Sequence, residues 1–598
     1  MMTQVDPITT EIIRNAFVSI AQDMNAALFR SAYTPVIYEG RDCAVALLDE
    51  NGDVLAQAVG VPLFLGNLEV CVKLTAEIHS WDAFQPGDIF YMNDAYMQGT
   101  HLNDATIFAP IFWQGRRVGF SASRAHWLDV GGKDPSQTTD SFEIYQEGMR
   151  WPPIRIYQNG EPRQDIMEVL RCNSRFGHLL IGDLNAQVAA MRTGEARFHS
   201  ILNRFGYETV LAARDEIFRQ SEQLEREAVA AIPDGTYTAS GFLDDDGLGN
   251  GPVPIKIRVD VAGDHVTVDL EGSSAMTRGP INAGFAQTTS ACRMAFKMLI
   301  HPERPVDGGT FKTLTVKAPE GSIFKAQEPA PCQWYFTPQG LLIDLFIKAL
   351  APAMPDRVAG AHYGDSMVIW LDGTDPRKGN TRFLALEANS GGWGAFSTSD
   401  GQDALINVVN GPFKDLPVEV YENKYPIMIH EYGIRPDTGG PGRYRGGCGV
   451  YRIYEMEAPA SLFLWFERSV TPAWGLFGGQ DAVGPDVVVN PGRQDERHML
   501  KVNGLPIKVG DVVKFYTGGG GGYGNPWERD PRLVREDVID GYVTREGAER
   551  DYGVVLKKDL SIDETATQKR RKAMQKSHRS KSGFHNQGQQ SDRPAMPS

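Results

Sequence analysis

Residues 86–130 read PGDIFYMNDAYMQGTHLNDATIFAPIFWQGRRVGFSASRAHWLDV. Three strand-like runs stand out, PGDIFYMND and two more within ATIFAPIFWQGRRVGFSASRAHW. The side chains able to do chemistry gather at the ends of these runs. His101 and Asp104 lie in the connection between the first and second runs, and His126 closes the third. Two ligands three residues apart can meet one ion from an irregular segment, while a neighbouring strand end delivers the third.

Upstream, CAVALLDENGDVLAQA reads as a hairpin around Asn51-Gly52, with Asp42 just before its first strand. Before that, Asp6 and Pro7 start a helix whose Ile13, Phe17, Ile20, Met24 and Leu28 form one apolar face. Downstream, residues 183–232 predict a helical pair with Gly206 as the stop between them. From Pro233 an alternating strand pattern takes over, with buried helices at SACRMAFKMLI and at residues 340–352. Glycine-rich loops then alternate with strands to about residue 525, and two short helices started by Asp530-Pro531 and Thr544 close the fold. The expected class is α+β: a large multi-domain mixed fold with an N-terminal helix, a metal-bearing β-rich N-terminal domain, and β-rich middle and C-terminal parts. The expected divisions are 1–232, 233–440, 441–560 with the closing helices, and a disordered basic tail over 561–598.

Composition narrows the function classes. The 598 residues are 42% hydrophobic and 23% charged, as in ordinary globular proteins. No apolar run approaches the ~18–20 residues that span a membrane, and MMTQVDPITTEII does not read as a signal peptide. Net charge is −15, and from Lys569 onward eight basic residues face one acid, so the body is more acidic still. An acidic body argues against nucleic acid as the main partner. Cys43, Cys71, Cys172, Cys292, Cys332 and Cys448 form no CxxC pair, which predicts reduced thiols and a cytoplasmic location.

The strongest chemical constellation is GTHLNDATIF with SRAHWLDVGG and the upstream GRDCAVALLD. Imidazole plus carboxylate suits zinc, manganese or iron(II) better than calcium or magnesium, which prefer all-oxygen shells. Asp42 is placed to complete such a shell, and Asp94 and Asp129 to orient a ligating imidazole through its free N–H. By spacing alone, the same residues also read as ordinary polar loop positions. The segments GGWG, GGPGRYRGGCG and GGGGGYG invite a phosphate-cradling reading, but no G-x-x-x-x-G-K-[ST] occurs, so tight turns and close backbone packing are expected. Ser121 and Ser123 lack a G-x-S-x-G elbow, His178 and His362 stand alone, and Glu387, Asn389, Asp400 and Asp403 are cleft candidates without an evident partner.

At these residues the chain resembles the hydantoinase B/oxoprolinase family, which also embraces lactamase relatives and the large subunits of ATP-dependent ketone carboxylases. The resemblance rests on DPITTEIIRNAF, GRDCAVALLDENGDVLAQA, PGDIFYMNDAYMQGTHLND, SRAHWLDVGG, GDLNAQVAAMRTG, YGIRPDTGGPGRYRGGCG and DGYVTREGAERDYGVVL, among other segments, in order over about residues 5–556. It implies a divalent metal (zinc or manganese, with iron as a third choice) on Asp42, His101, Asp104 and His126. It implies a separate hydantoinase A-type subunit that binds ATP-Mg, in a heterotetramer or larger assembly, acting on a small molecule. The implied reaction is ATP-dependent opening of a cyclic amide, with ketone carboxylation as the alternative, and Asp129 is the expected proton acceptor. Two positions depart from the family pattern. Phe64 and Trp127 stand where histidines are frequent, which implies an altered pocket.

Overall fold

A computed structural model of the chain describes residues 5–585, with side chains as far as residue 575. Helix α1 (Pro7–Ser31) starts where Asp6 accepts hydrogen bonds from the N–H groups of Ile8 and Thr9 at 3.1 and 3.0 Å. Such a cap contributes about 1 kcal/mol. The face formed by Ile13, Phe17, Ile20, Met24 and Leu28 is buried, as its spacing predicts.

The first sheet contains β1 (Cys43–Asp49), β2 (Val54–Gln57), β3 (Ile89–Met92), β4 (Asp104–Trp113), β5 (Arg116–His126), β6 (Ile154–Gln158) and β7 (Glu161–Pro162). Its order is β2-β1-β5-β4-β3-β6-β7, antiparallel throughout. β1 is buried along its whole length, which explains why CAVALLD is a nearly continuous apolar run and does not alternate. The turn after it places Gly52 at φ 79°, a conformation glycine adopts freely.

Helices α2 (Gly177–Phe205) and α3 (Tyr207–Ala230) are divided by Gly206, as expected. α2 lies close against α1 because two of its positions carry no side chain. A Cβ at Gly194 would stand 2.5 Å from Met24 Sδ, and one at Gly182 would stand 2.4 Å from the Tyr33 ring. Next to Gly182, the buried Asp183 accepts hydrogen bonds from the Tyr33 N–H at 2.7 Å, the Thr34 N–H at 3.1 Å and the Thr34 hydroxyl at 2.7 Å. These bonds anchor the segment that leads from α1 to Asp42.

A second sheet, ordered β11-β10-β9-β8, is built from β8 (Gly235–Leu243), β9 (Val253–Ala262), β10 (His265–Asp269) and β11 (Leu314–Lys317). It begins just after α3, at the expected change of texture. Helices α4 (Phe285–Leu299) and α5 (Phe336–Leu350) pack on each other, and α5 is buried almost all round. The remaining strands are β12 (Val368–Asp375), β13 (Thr381–Glu387), β14 (Ile427–Ile434), β15 (Val450–Met456), β16 (Ala460–Trp465), β17 (Asp486–Val489), β18 (Arg497–His498), β19 (Lys501–Ile507) and β20 (Val512–Tyr516). They form two sheets, β13-β12-β16-β19 and β14-β15-β20-β17-β18. Both sheets pair strands from either side of residue 440, so the expected division there runs through shared ladders. The glycine-rich segments pack backbone on backbone: a Cβ at Gly520 would lie 2.1 Å from the Trp393 carbonyl.

The class is the mixed, multi-domain α+β arrangement expected. The tail differs from expectation. Residues Glu564–His585 form helix α6, held by Arg571 donating to the carbonyls of Tyr552 and Arg529 at 3.0 and 2.8 Å and by Thr567 accepting from the Val555 N–H. The rest of the tail, residues 586–598, lies outside the described residues. Among the described residues, no helix is long and apolar enough to cross a membrane.

Replacing Asp183 by alanine strands three donors in a buried corner. We expect a loss of roughly 2–4 kcal/mol in denaturant unfolding, and a smaller loss for Asp183→Asn, which keeps one acceptor oxygen.

Candidate metal centre

The centre forms where β4 begins and β5 ends. Asp104 and His126 are directly opposite each other in the β4–β5 ladder. Beyond them the segments stay joined, because the Trp127 N–H donates to the Asn103 backbone carbonyl at 2.8 Å and the Asn103 side-chain amide donates to the Trp127 carbonyl at 3.0 Å. His101 is turned back onto Asp104 by the tight connection, in which the Asp104 N–H bonds the His101 carbonyl. On the other edge of β5, the His126 N–H donates to the Asp42 carbonyl at 3.1 Å.

Three donor atoms converge. His101 Nε2 lies 2.9 Å from Asp104 Oδ1 and 3.1 Å from His126 Nδ1, and His126 Nδ1 lies 3.2 Å from the same Asp104 oxygen. All three residues are buried. Ligands bonded to one ion at about 2.0–2.1 Å and subtending right to tetrahedral angles stand about 2.9–3.4 Å apart, so these edges fit a single divalent cation. The tautomer fits as well. His101 Nδ1 lies 2.9 Å from the Gln333 carbonyl, which can only accept, so the ring proton sits on Nδ1 and Nε2 presents its lone pair to the centre.

The electrostatics call for positive charge at this point. Burial would raise Asp104, but His101 and His126 hold it well below the usual carboxylate range. Burial would lower His101, and Asp104 outweighs it, so that imidazole is held above its usual value. Asp42 lines the same cavity without joining the three-donor cluster. Burial pushes its carboxyl up to about 6, with His126 opposing and Asp104 adding to the rise. The residues present therefore fit a divalent metal through His101, Asp104 and His126, with Asp42 as a flanking carboxylate.

Two supporting residues come from parts of the chain with no readable signal. The Tyr335 hydroxyl donates to Asp104 Oδ2 at 3.0 Å, and Gln333 orients His101. Both precede α5. Their segment is held by Glu147, which accepts from the N–H groups of Cys332 and Gln333 at 3.0 Å each and from the Ser141 hydroxyl at 2.8 Å. Burial pushes Glu147 up to about 7, against those three donors.

The structure does not bring Asp129 to the cluster. Its two oxygens accept from Arg175 Nη1 at 2.7 Å, the Arg175 N–H at 2.6 Å and the Ser136 N–H at 3.3 Å. Asp94 is likewise engaged elsewhere: it caps a short helix and pairs with Arg150. The cleft candidates are internal ion pairs and hydrogen bonds: Glu387 with Arg452, Asp400 with Arg529, Asp403 with Arg445, and Asn389 with the Met367 carbonyl. His362 pairs with Asp344. Of the two departures from the family pattern, Phe64 lines the cavity, whereas Trp127 is stacked on Tyr91 in the core and donates to Gln187.

The cavity over the donors is small, about 50 Å³, and its walls are largely apolar, with Val61, Leu63, Phe64, Val368, Leu386 and Phe413 among them. Gln137, Ser366 and Asn410 add neutral polar groups. Beside Ser366, the buried Asp365 accepts from the Thr337 hydroxyl at 3.2 Å, and burial together with Glu467 pushes it up to about 8.

Two expectations follow from this centre. His101→Ala and His126→Ala should each drop bound transition metal from about one ion per chain to near zero by elemental analysis, with circular dichroism unchanged. Retention of the ion in both would contradict the assignment. For Asp365 the raised folded pKa means the folded chain keeps a proton that the unfolded chain releases near 3.8. Stability therefore falls as pH rises from about 4 to 8 on this group's account. Asp365→Asn should remove that slope, so its stability relative to the parent should improve steadily across that range in denaturant titrations.

Known proteins resemble the chain over most of its length. A profile of the family described as Hydantoinase B/oxoprolinase matches residues 6–526. The chain is 30% identical to the B component of a putative D-/L-hydantoinase from a Pseudomonas species, over 96% of its own length and 99% of that protein. The ATP-dependent caprolactamase structure from Pseudomonas jessenii superposes with a TM-score of 0.88 at 29% identity, over 95% of this chain and 100% of that one. A nucleotide-free acetone carboxylase shares the fold, with a TM-score of 0.86 at 19% identity over 96% of this chain and 84% of the other. The chain that builds this three-donor centre belongs to the hydantoinase B/oxoprolinase family.

Proposed function

We propose that this chain is the metal-bearing subunit of an ATP-dependent cyclic amide hydrolase, working with a separate hydantoinase A-type subunit that holds ATP-Mg. The observation that carries the reading is the convergence of His101 Nε2, Asp104 Oδ1 and His126 Nδ1 on the wall of an apolar cavity, in a member of this family. The relatives named above, a hydantoinase component and an ATP-dependent caprolactamase, support the substrate class and the need for a partner. A heterotetramer or larger assembly in the cytoplasm suits a chain with six free cysteines and no Walker sequence.

Amide resonance makes ring opening slow, and phosphorylation of the amide oxygen by the partner would remove that resonance. The balanced reaction turns one ring amide, one ATP and two waters into the open amino acid, ADP and phosphate. Zinc, manganese or iron at the three donors would supply Lewis acidity and a water of lowered pKa. Three protein donors leave positions open for that chemistry, where four would crowd it. Tyr335 and Gln333 keep Asp104 and His101 aimed, and the apolar walls limit bulk water around the activated carbon. Asp42, on the cavity wall, is better placed than Asp129 to accept a proton there. Asp129 instead clamps its loop through Arg175.

The second reading is the large subunit of an ATP-dependent ketone carboxylase, favoured by the same apolar cavity, which would also suit an uncharged ketone. Co-purified with its partner, the complex should release ADP and ring-opened product from a lactam or hydantoin. His101→Ala should remove turnover at least a thousandfold while the complex still assembles. Bicarbonate-dependent consumption of acetone or acetophenone, with no amide hydrolysis, would replace the hydrolase reading with the carboxylase one.

A further inference from the structure

A second cavity, of about 350 Å³, backs onto the metal cavity. Its volume is in the range that holds small molecules. Two segments separate the two spaces. Along 61–66, Val61, Leu63 and Phe64 line the metal cavity, while Pro62, Leu65 and Gly66 line the second one. Along 408–413, Val409, Asn410 and Phe413 face the metal side, and Val408 and Gly411 face the other. The segments meet where Gly411, at φ 58°, leaves no room for a side chain: a Cβ there would stand 2.4 Å from Pro62 Cδ. Helix α4 and β2 hold the first segment by its carbonyls. Gln287 and Ser290 donate to Leu63 at 2.9 and 2.8 Å, Arg293 donates to Gly66 at 2.7 Å, and Gln57 donates to Leu65 at 2.5 Å.

The walls of this second cavity are mainly apolar, with Met294, Met298, Phe311 and Trp393 among them. The charged groups in its lining are Arg293 and Lys297, and no carboxylate lines it. Arg293 is committed: it donates to Glu69 Oε1 at 2.9 Å and lies over the Phe311 ring. Lys297, half-buried one helical turn further along α4, makes no hydrogen bond or ion pair among the described residues. Burial holds its ammonium below the usual value, with Glu225, Asp307 and Glu303 opposing. Those carboxylates have partners of their own. Glu225 accepts from the N–H groups of Phe311 and Thr313 and from the Thr313 hydroxyl, Asp307 from the Ser221 hydroxyl and the Gly309 N–H, and Glu303 pairs with His301 and Arg304.

An ammonium drawn partly out of water against apolar walls, with no counter-ion, is costly. An anion seated beside it removes that cost, and an apolar body attached to the anion fills the rest of the space. An apolar cavity of about 150 Å³ takes one benzene-sized ring. The metal cavity, at about 50 Å³, is too small for a ring, whereas its neighbour has the room. We propose that this second cavity is a binding site for a small molecule with one anionic head on a compact apolar body, and that Lys297 is the counter-ion of the head. Two sources share that chemistry: the phosphorylated ring on its way to the metal, and a free carboxylate. The first source rests on the cyclic amide reading; the site itself does not.

Calorimetric titration of the complex with its partner tests this with two probes, phenyl phosphate and hexanoate. Each is set against a neutral molecule of the same body, phenol or 1-hexanol, and against a bare head, inorganic phosphate or acetate. Both probes should bind at least about tenfold tighter than their counterparts. Lys297→Met keeps the stem, removes the charge and should weaken both by about tenfold or more, whereas Lys297→Arg should stay within about threefold of the parent. His101→Ala, which empties the metal centre, should leave both affinities in place and so separates this site from the metal cavity. Tighter phenyl phosphate identifies the activated ring as the occupant, and tighter hexanoate identifies the free carboxylate. Counterparts that bind equally well, affinities unmoved by Lys297→Met in a folded complex, or affinities lost together with the metal would overturn the proposal. So would a complex that binds neither probe because the partner subunit covers the cavity. Absence of amide turnover by the parent complex, with these affinities intact, would sink the hydrolase reading alone.

Discussion

The arrangement depends on one register: β5 inserted between β1 and β4, with Asp104 opposite His126 and Cys43 opposite Ala125. This pairing sets the end of β5 beside the start of both neighbours. Asp42, His126 and Asp104 then arrive at one rim of the sheet although they are far apart in sequence. Side chains alternate faces along a strand, so a slip of one residue would turn His126 away and bury the wrong set of side chains. The slip is resisted on both sides. β1 is paired with β5 along its whole length, from Cys43 to Asp49, and the Trp127 N–H and the Asn103 side-chain amide tie the β4 and β5 segments together past the site. The closeness of α1 and α2, permitted by Gly182 and Gly194, holds the segment before Asp42 from outside the sheet.

The price of that geometry is electrostatic. Two carboxylates and two imidazoles share a dry rim, and the strains are visible in the directions of their titration: Asp104 held down, His101 held up, Asp42 pushed up to about 6. A cation of charge two at the three donors would relieve all of these at once. The surrounding shell fits this account. Gln333 fixes the His101 tautomer, Tyr335 takes the second oxygen of Asp104, and Glu147 secures the segment that carries both residues. The first sheet thus supplies the donors, and the segment before α5, more than two hundred residues on, supplies their orientation.

That division explains what can be read from the chain. His101, Asp104 and His126 are legible because short spacing and strand ends bring them together through local structure, and a β-hairpin register is a local property. The helix at α1, the Asn51-Gly52 turn and the Gly206 break are legible for the same reason, each resting on neighbouring residues. Gln333, Tyr335 and Glu147 are not, because their roles depend on a distant segment folding back, and neither Gln nor Tyr in PCQWYFTPQG has a periodic or motif signature. Asp129 misleads because closeness in sequence to His126 does not equal closeness in space. The chain turns after Trp127, and Arg175 from the segment before α2 claims the carboxylate. Trp127 misleads likewise, since the residue after a strand end can return to the core. The tail reads as disordered on charge alone, yet Arg571 and Thr567 find backbone partners that composition does not reveal.

The same donor set can in principle serve a water or an enolate, and the shared fold with an acetone carboxylase shows that architecture does not choose between them. The choice then rests on the groups that surround the donors. Carboxylation needs an electrophile held over the substrate carbon and water kept out. Hydrolysis needs a water admitted to the same position and a base to take its proton. The wall here offers Asp42, Gln137, Ser366 and Asn410 as polar groups within an otherwise apolar lining. A carboxylate on the wall, Asp42, is the kind of base that hydrolysis requires. An enolate, already anionic, would gain nothing from a second carboxylate beside it. On that balance the polar side of the cavity favours water as the nucleophile, set within an otherwise apolar lining.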